Sequence, residues 1–416
     1  MNKQLIFNSK PYIINNKNYS SIQFTLFFPI PYDKQYIGYT KLLKQLLTNT
    51  SLEYKTEESY NKAYKEKMII SLSAKSHRFN NNKYIEFNLI VPDPKKVKDY
   101  DLESAFKFFI DTIYKPNIEN EEFNNYYFER EKKFVKETIL EKRKNIYYIA
   151  EQNFFNYVDD IGIIKDNLSN NLELLDNITP KDLYQFYKRN IVDNTPIIIA
   201  YGDIDESINT LINKYMNIQN KDIIINKDYY NFLIPFEKTH NIEEESKFYQ
   251  SILYTSYKIK NMTEKDIIYF FFLTDLIDAN KLLFINLRNK ENLIYHVSTM
   301  SKSKIGLYTV ITYIDSTSKD KVIDTINNTF KSLYDKTLLE KYKNKLLDNL
   351  KCSQIRTLDQ RNKKLADFIV NSFEFDLTLE ELIEQYKNLN LDEFYNFLDR
   401  FTLDTTYFLR GEYNGK

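Results

Sequence analysis

Apolar and polar positions follow two rhythms along the chain, and the rhythms succeed one another in the same order twice. Ser21-Ile22-Gln23-Phe24-Thr25-Leu26-Phe27-Phe28 is rich in β-branched and aromatic residues and predicts a strand, with Pro29 and Pro31 at its end. From Gly38 the apolar residues fall at Tyr39, Leu42, Leu43, Leu46 and Leu47, the spacing of one helix face. Ile70–Ser73 and Ile85–Val91 predict a strand pair around a polar turn at His77–Lys83. Pro116 precedes a long helix expected from Glu121 to about Phe155, with Phe123, Tyr127, Phe134 and Ile139 among its apolar positions. A further helix, Lys181–Asn190, leads into the strand Ile197–Tyr201.

The second half repeats this outline. Tyr249-Gln250-Ser251-Ile252-Leu253-Tyr254-Thr255 echoes Tyr19 to Thr25, and a helix over Glu264–Leu276 follows. Near the end, Asp392 to Arg400 echoes Lys181 to Arg189. Each of these helices runs into a short apolar strand and a glycine, Gly202 in one copy and Gly411 in the other. Two echoes in one order, half a chain apart, argue for duplication. The mostly polar stretch Asn217–Asp228 predicts a linker, so the expected domains are residues 1–218 and 228–416. Strands mixed with helices give an α+β class: two tandem homologous domains, each a mostly antiparallel sheet covered on one face by helices.

Composition narrows the function. The 416 residues suit two domains of about 200 each, and 43% apolar content lets each bury a core. Lys plus Arg and Asp plus Glu balance at 58 each, whereas phosphate recognition favours a basic excess. The clusters Lys132-Lys133 and Lys142-Arg143-Lys144 are interleaved with Glu and read as solvated helix faces, so no nucleic-acid partner is expected. Six glycines are too few and too scattered for a Walker or dinucleotide loop. One cysteine, Cys352, excludes a disulfide framework and a thiolate metal cluster and is expected to be a small buried hydrophobe. Met1–Asn8 turns polar too soon for a signal-peptide core, and the run Ile267–Leu273 is too short for a bilayer. These features predict a soluble cytoplasmic protein with no membrane partner.

The succession of strand, glycine-containing loop, amphipathic helix and long acidic helix, then a second copy, resembles the insulinase-like (pitrilysin) peptidases in their two-domain form. Active members carry H-x-x-E-H on the helix just after that glycine. There two His on one helical face hold Zn²⁺ and the Glu serves as general base. Aligned on Gly38, this chain has Lys41-Leu42-Leu43-Lys44-Gln45, so Lys41 and Gln45 stand for the two His and Lys44 for the Glu. A protonated lysine has no lone pair to offer a metal. On the long helix, Glu131-Lys132-Lys133-Phe134-Val135-Lys136-Glu137-Thr138-Ile139 resembles the family's E-x6-E-I stretch, with Thr138 at the third ligand position and Glu137 one residue away. His77, His240 and His296 are far apart in sequence, and His240 is expected at the surface. No metal and no cofactor are expected in this chain.

Leu282 to Tyr295 resembles the family's stretch ending in an Arg and a Tyr seven residues apart, here Arg288 and Tyr295. In the family this pair comes from the C-terminal domain, faces the zinc, grips the substrate backbone and polarises the scissile carbonyl. A guanidinium fork and a phenol suit that role. Loss of the metal motif beside a retained Arg/Tyr pair implies a non-catalytic, substrate-clamping subunit of a heterodimeric metallopeptidase. Its partner would be a homologous zinc-bearing subunit and its substrate a peptide, a leader peptide being one class that fits. A peptide-binding or scaffold protein without a role in proteolysis is the alternative, and an autonomous peptidase with unorthodox metal ligands is a third.

Overall fold

The computed structural model describes residues 3–31, 33–79, 82–158, 172–216, 221–227, 239–303, 306–359, 377 and 379–412. Two compact units divide the chain. The first is residues 1–141, 166–228 and 372–374; the second is residues 142–165, 229–371 and 375–416.

The first unit opens with β1 (Lys3–Asn8), β2 (Tyr12–Asn15) and β3 (Ser21–Pro31), then α1 (Ile37–Leu47) and α2 (Glu57–Glu66). The strand pair β4 (Ser71–Phe79) and β5 (Asn82–Pro92) confirms the expected hairpin. The turn is shorter than the expected His77–Lys83, because His77–Phe79 and Asn82–Lys83 continue the ladder; residues 80 and 81 between the strands lie outside the described residues. α3 (Leu102–Tyr114), the ribbon β6 (Ile118–Glu119) and β7 (Glu122–Phe123), and α4 (Asn125–Lys142) follow. After α5 (Ile146–Val158), which belongs to the second unit, come α6 (Leu172–Asp176), α7 (Pro180–Tyr187), β8 (Ile197–Gly202), α8 (Ser207–Tyr215) and β9 (Asp222–Lys227).

The main sheet has the order β2-β8-β3-β5-β4, antiparallel except for the β2–β8 pair. Alternation sorts its faces. Ile22, Phe24, Leu26 and Phe28 of β3 join Phe87 and Leu89 of β5 in one core with Leu42, Leu43 and Leu46 of α1 and Phe106 and Phe109 of α3. Residues of the other phase, Gln23, Thr25 and Asn88, are buried polar groups that satisfy one another. Gln23 Nε2 donates to Asn88 Oδ1 at 3.1 Å and Thr25 Oγ1 to the same oxygen at 2.6 Å.

The second unit comprises β10 (His240–Glu245), β11 (Ser251–Ile259), α9 (Asp266–Asn280), α10 (Leu282–Phe284), β12 (Ile294–Lys302) and β13 (Leu307–Ile314), followed by α11 (Lys319–Lys331), α12 (Lys336–Asp359), α13 (Leu379–Lys387), α14 (Leu391–Arg400) and β14 (Phe401–Arg410). Its sheet order is β10-β14-β11-β13-β12, again antiparallel except for the first pair. Strand for strand this is the order of the first sheet. The α+β class and the two sheet-plus-helix regions are as the sequence predicts.

Four further local expectations change. The long helix predicted over 121–155 is two helices, because Asn145 starts a new one: its Oδ1 accepts from the Tyr147 backbone N–H at 2.9 Å. α5 then covers the second unit's sheet, where Ala150, Phe154, Phe155 and Val158 meet Ile252, Tyr254, Tyr407 and Leu409. That sheet is therefore covered on both faces, since Leu253, Tyr308 and Val310 pack with α9 on the other. Burying Phe154 and Phe155 stabilises this arrangement by roughly 1.5–3 kcal/mol each. Within the predicted linker, residues 222–227 form β9, paired antiparallel with β1 (Phe7 opposite Ile223); the apolar run Ile223–Ile225 supplies the strand. Cys352 is exposed on α12 rather than buried.

Candidate clamp site and the metal-motif position

α1 presents two faces. Leu42, Leu43, Leu46 and Leu47 are buried, while Lys41, Lys44 and Gln45, one turn apart, lie half-buried on the other side. Burial first, and the Lys41 charge second, hold the Lys44 ammonium below the usual lysine range. Neither lysine ammonium has a lone pair to offer a metal. On α4, Glu131 is buried and its Oε1 is taken by Arg130 Nε at 3.1 Å and by Asn49 Nδ2 at 3.3 Å. Thr138 turns its hydroxyl back onto the Phe134 carbonyl at 2.8 Å, and Glu137 pairs loosely with Lys133. These residues do not fit a zinc ion. Among the described residues no group of three or more His, Cys, Asp or Glu could hold a metal. His240 is exposed on the strand β10, as expected.

Arg288 and Tyr295 lie together in the second unit. Arg288 sits in a π-helical turn, Ile285–Lys290, that follows α10. Such turns widen the helix locally and re-aim its side chains. Its Nη1 donates to the Ile294 carbonyl at 2.7 Å and to Asn292 Oδ1 at 3.1 Å, fastening the loop that enters β12. Asn292 has φ +51°, a conformation asparagine tolerates better than most residues. Nε and Nη2 of Arg288 have no protein partner among the described residues, leaving part of the fork for another group.

Tyr295 occupies a β-bulge. Ile294 pairs with Ile314, but the next paired residue of β12, His296, faces Tyr313, so Tyr295 and His296 share one partner. Both are exposed in consequence, Tyr295 by 58%. The Tyr295 hydroxyl donates to Asp315 Oδ1 at 2.9 Å. That bond and the Asp315 charge push the phenol up, while the Arg288 charge pulls it down, which places the guanidinium in the phenol's field. Among the described residues β12 pairs with β13 alone, so its outer edge is open within the described sheet. Neither the bulge nor the role of Asp315 has a signature in the sequence, where a His beside Tyr295 in a strand is too common a polar residue to mark a bulge.

A model described as Peptidase M16 inactive domain matches residues 177–346. Over those residues the chain is similar to the inactive domain of M16 peptidases. M16 is the pitrilysin family that the segments around Gly38 and Arg288 resemble, and the match includes Arg288 and Tyr295 but not α1. Over 417 residues the chain is 20% identical to the probable inactive metalloprotease YmfF of Bacillus subtilis (strain 168), covering 96% of this chain and 95% of that one. A crystal structure of a conserved protein from Enterococcus faecalis V583 superposes with a TM-score of 0.78 at 20% identity, over 99% of this chain and all of the other. The M16 inactive domain from Pseudomonas fluorescens gives 0.69 at 13% identity, over 100% and 99%. At these identities the superpositions establish a shared fold. Among the described residues, no helix is long and apolar enough to cross a membrane.

Proposed function

We propose that this chain is the non-catalytic, substrate-clamping subunit of a heterodimeric M16 metallopeptidase. The observation that carries the reading is the bulge that exposes Tyr295 beside Arg288 at the open edge of β12. An extended peptide adds to such an edge through main-chain hydrogen bonds, and free Arg288 donors supply a charged contact at its start. A homologous partner with an intact H-x-x-E-H would bring the zinc, because Lys41, Lys44, Gln45 and Thr138 cannot. A leader peptide is one substrate of this kind, and the cytoplasm is the setting the proposal assumes.

Co-expression with an H-x-x-E-H relative, followed by peptide-cleavage assays, tests the proposal. Arg288→Ala and Tyr295→Phe should each lower turnover while the two chains still co-purify. Undiminished turnover in both variants would remove the clamp role. Peptide binding without cleavage in any pairing would favour the scaffold reading instead.

A further inference from the structure

We infer that Asp315 fixes Tyr295 as a hydrogen-bond acceptor, so that the pair reads one residue of an extended peptide with opposite polarities: Arg288 takes its carbonyl and Tyr295 takes its N–H. This rests on the clamp reading above and adds a positioning residue to it. A phenol has one proton. The carboxylate of Asp315 has none to give, so in the 2.9 Å contact the proton belongs to Tyr295 and points at Asp315. What the exposed phenol turns outward is therefore a lone pair. The same contact, through its charge, pushes the phenol's pKa up and keeps the proton in place.

Arg288 is the complement. Its Nη1 is committed to Ile294 O and Asn292 Oδ1, and its remaining N–H groups can only donate. An extended strand presents the N–H and C=O of alternate residues along one edge. Donor Arg288 and acceptor Tyr295 match such an edge, whereas two donors would compete for carbonyls and leave the N–H unmet. The bulge matters because it turns Tyr295 out of the ladder while β12 continues along the same line. Polarisation of a scissile carbonyl then falls to Arg288, and Tyr295 sets the register of the bound peptide.

The test uses the full chain and a binder selected from a random decapeptide display library. The binder is resynthesised with each amide in turn replaced by an ester, which deletes one N–H. The expected result is one position at which the ester weakens binding about three- to tenfold, the size of one hydrogen bond. That penalty should vanish in Tyr295→Phe and shrink in Asp315→Ala, where the phenol regains a free proton. Tyrosine 13Cζ NMR, assigned with Tyr295→Phe, should show the Tyr295 titration falling in Asp315→Ala, a change that loss of packing alone would not produce. If binding responds to Arg288→Ala and Tyr295→Phe but the ester penalties are equal in wild type and Tyr295→Phe, the acceptor assignment is overturned and the clamp survives. If no binder is found, or neither substitution affects it, the clamp reading itself fails and this inference fails with it.

Discussion

The two units share one strand order and one way of stopping the strand beside β3 or β11, yet differ in what they place on those backbones. In the first unit β8 ends at Gly202, where an added Cβ would lie 3.0 Å from the Ser21 carbonyl oxygen and φ is +151°. In the second, Gly411 follows β14, and a Cβ there would lie 2.7 Å from the Phe248 and Tyr249 carbonyl oxygens. Both glycines let one chain pass close against the backbone that enters the neighbouring strand. The chemistry has diverged. The helix of the first unit that resembles a zinc helix carries a half-buried lysine pair, while the edge strand of the second carries a bulge with an arginine behind it. The shared strand order constrains the backbone tightly and the exposed side chains loosely, because close approach tolerates few substitutions and a solvated face tolerates many.

The sharpest way to break this contrast is at the second unit's edge. Arg288→Ala should reduce peptide turnover in the proposed heterodimer by about tenfold to a hundredfold, the cost of a charge-assisted contact made to a developing charge. The matching change in the first unit, Lys41→Ala, should leave turnover within about twofold; a steady-state rate assay reads both, and a large Lys41 effect would undo the division of roles.

Next in size are the two glycines. Gly411→Ala should destabilise the second unit by about 2–3 kcal/mol, since both oxygens it meets are backbone, and Gly202→Ala should cost a similar amount in the first. Urea midpoints measure both, and a neutral result at either position would mean that the backbones can part there.

A smaller effect separates the helical layers. Asp275 accepts from the Tyr386 hydroxyl at 2.8 Å, and burial pushes its carboxyl up to about 6. A carboxyl raised above its unfolded value favours the protonated native state, so it costs stability at neutral pH, and the cost fades as pH falls from above 6 toward 4. Asp275→Asn keeps an acceptor for Tyr386 and should therefore stabilise the chain by about 1–2 kcal/mol at pH 7.5, with the gain shrinking by pH 5. Denaturation midpoints at the two pH values check the sign. The smallest change belongs to Lys44. Its lowered pKa means that the native state resists its charge, a cost that lessens as pH rises toward the ordinary lysine range. Lys44→Met should stabilise by less than about 1 kcal/mol at pH 7.5, again by urea midpoint.

Of the two sequence echoes, one survives in detail. Leu183, Phe186 and Tyr187 of α7 correspond to Phe394, Phe397 and Leu398 of α14, and all are buried. The other marks equivalent strands but not equivalent faces. Ile22 points into the helical core, whereas Ile252 points to the opposite face under α5. A strand slipped by one residue exchanges its faces, and nothing in a run of mixed apolar residues fixes that slip.

By itself the sequence determined the α+β class, the repeated strand-and-helix pattern, the glycine stops, the lysines and glutamine that follow Gly38 where a metal-binding helix would carry His and Glu, and the spacing of Arg288 and Tyr295. These are local facts, set by periodicity, backbone freedom and the donor chemistry of single side chains. Tertiary structure alone decided that α5 leaves α4 to cover the second unit's sheet, that residues 222–227 pair with β1, and that a bulge turns Tyr295 toward Asp315. Each depends on which distant strand or helix offers the better partner, and pairing between distant segments is a property of the packed chain that no local pattern encodes.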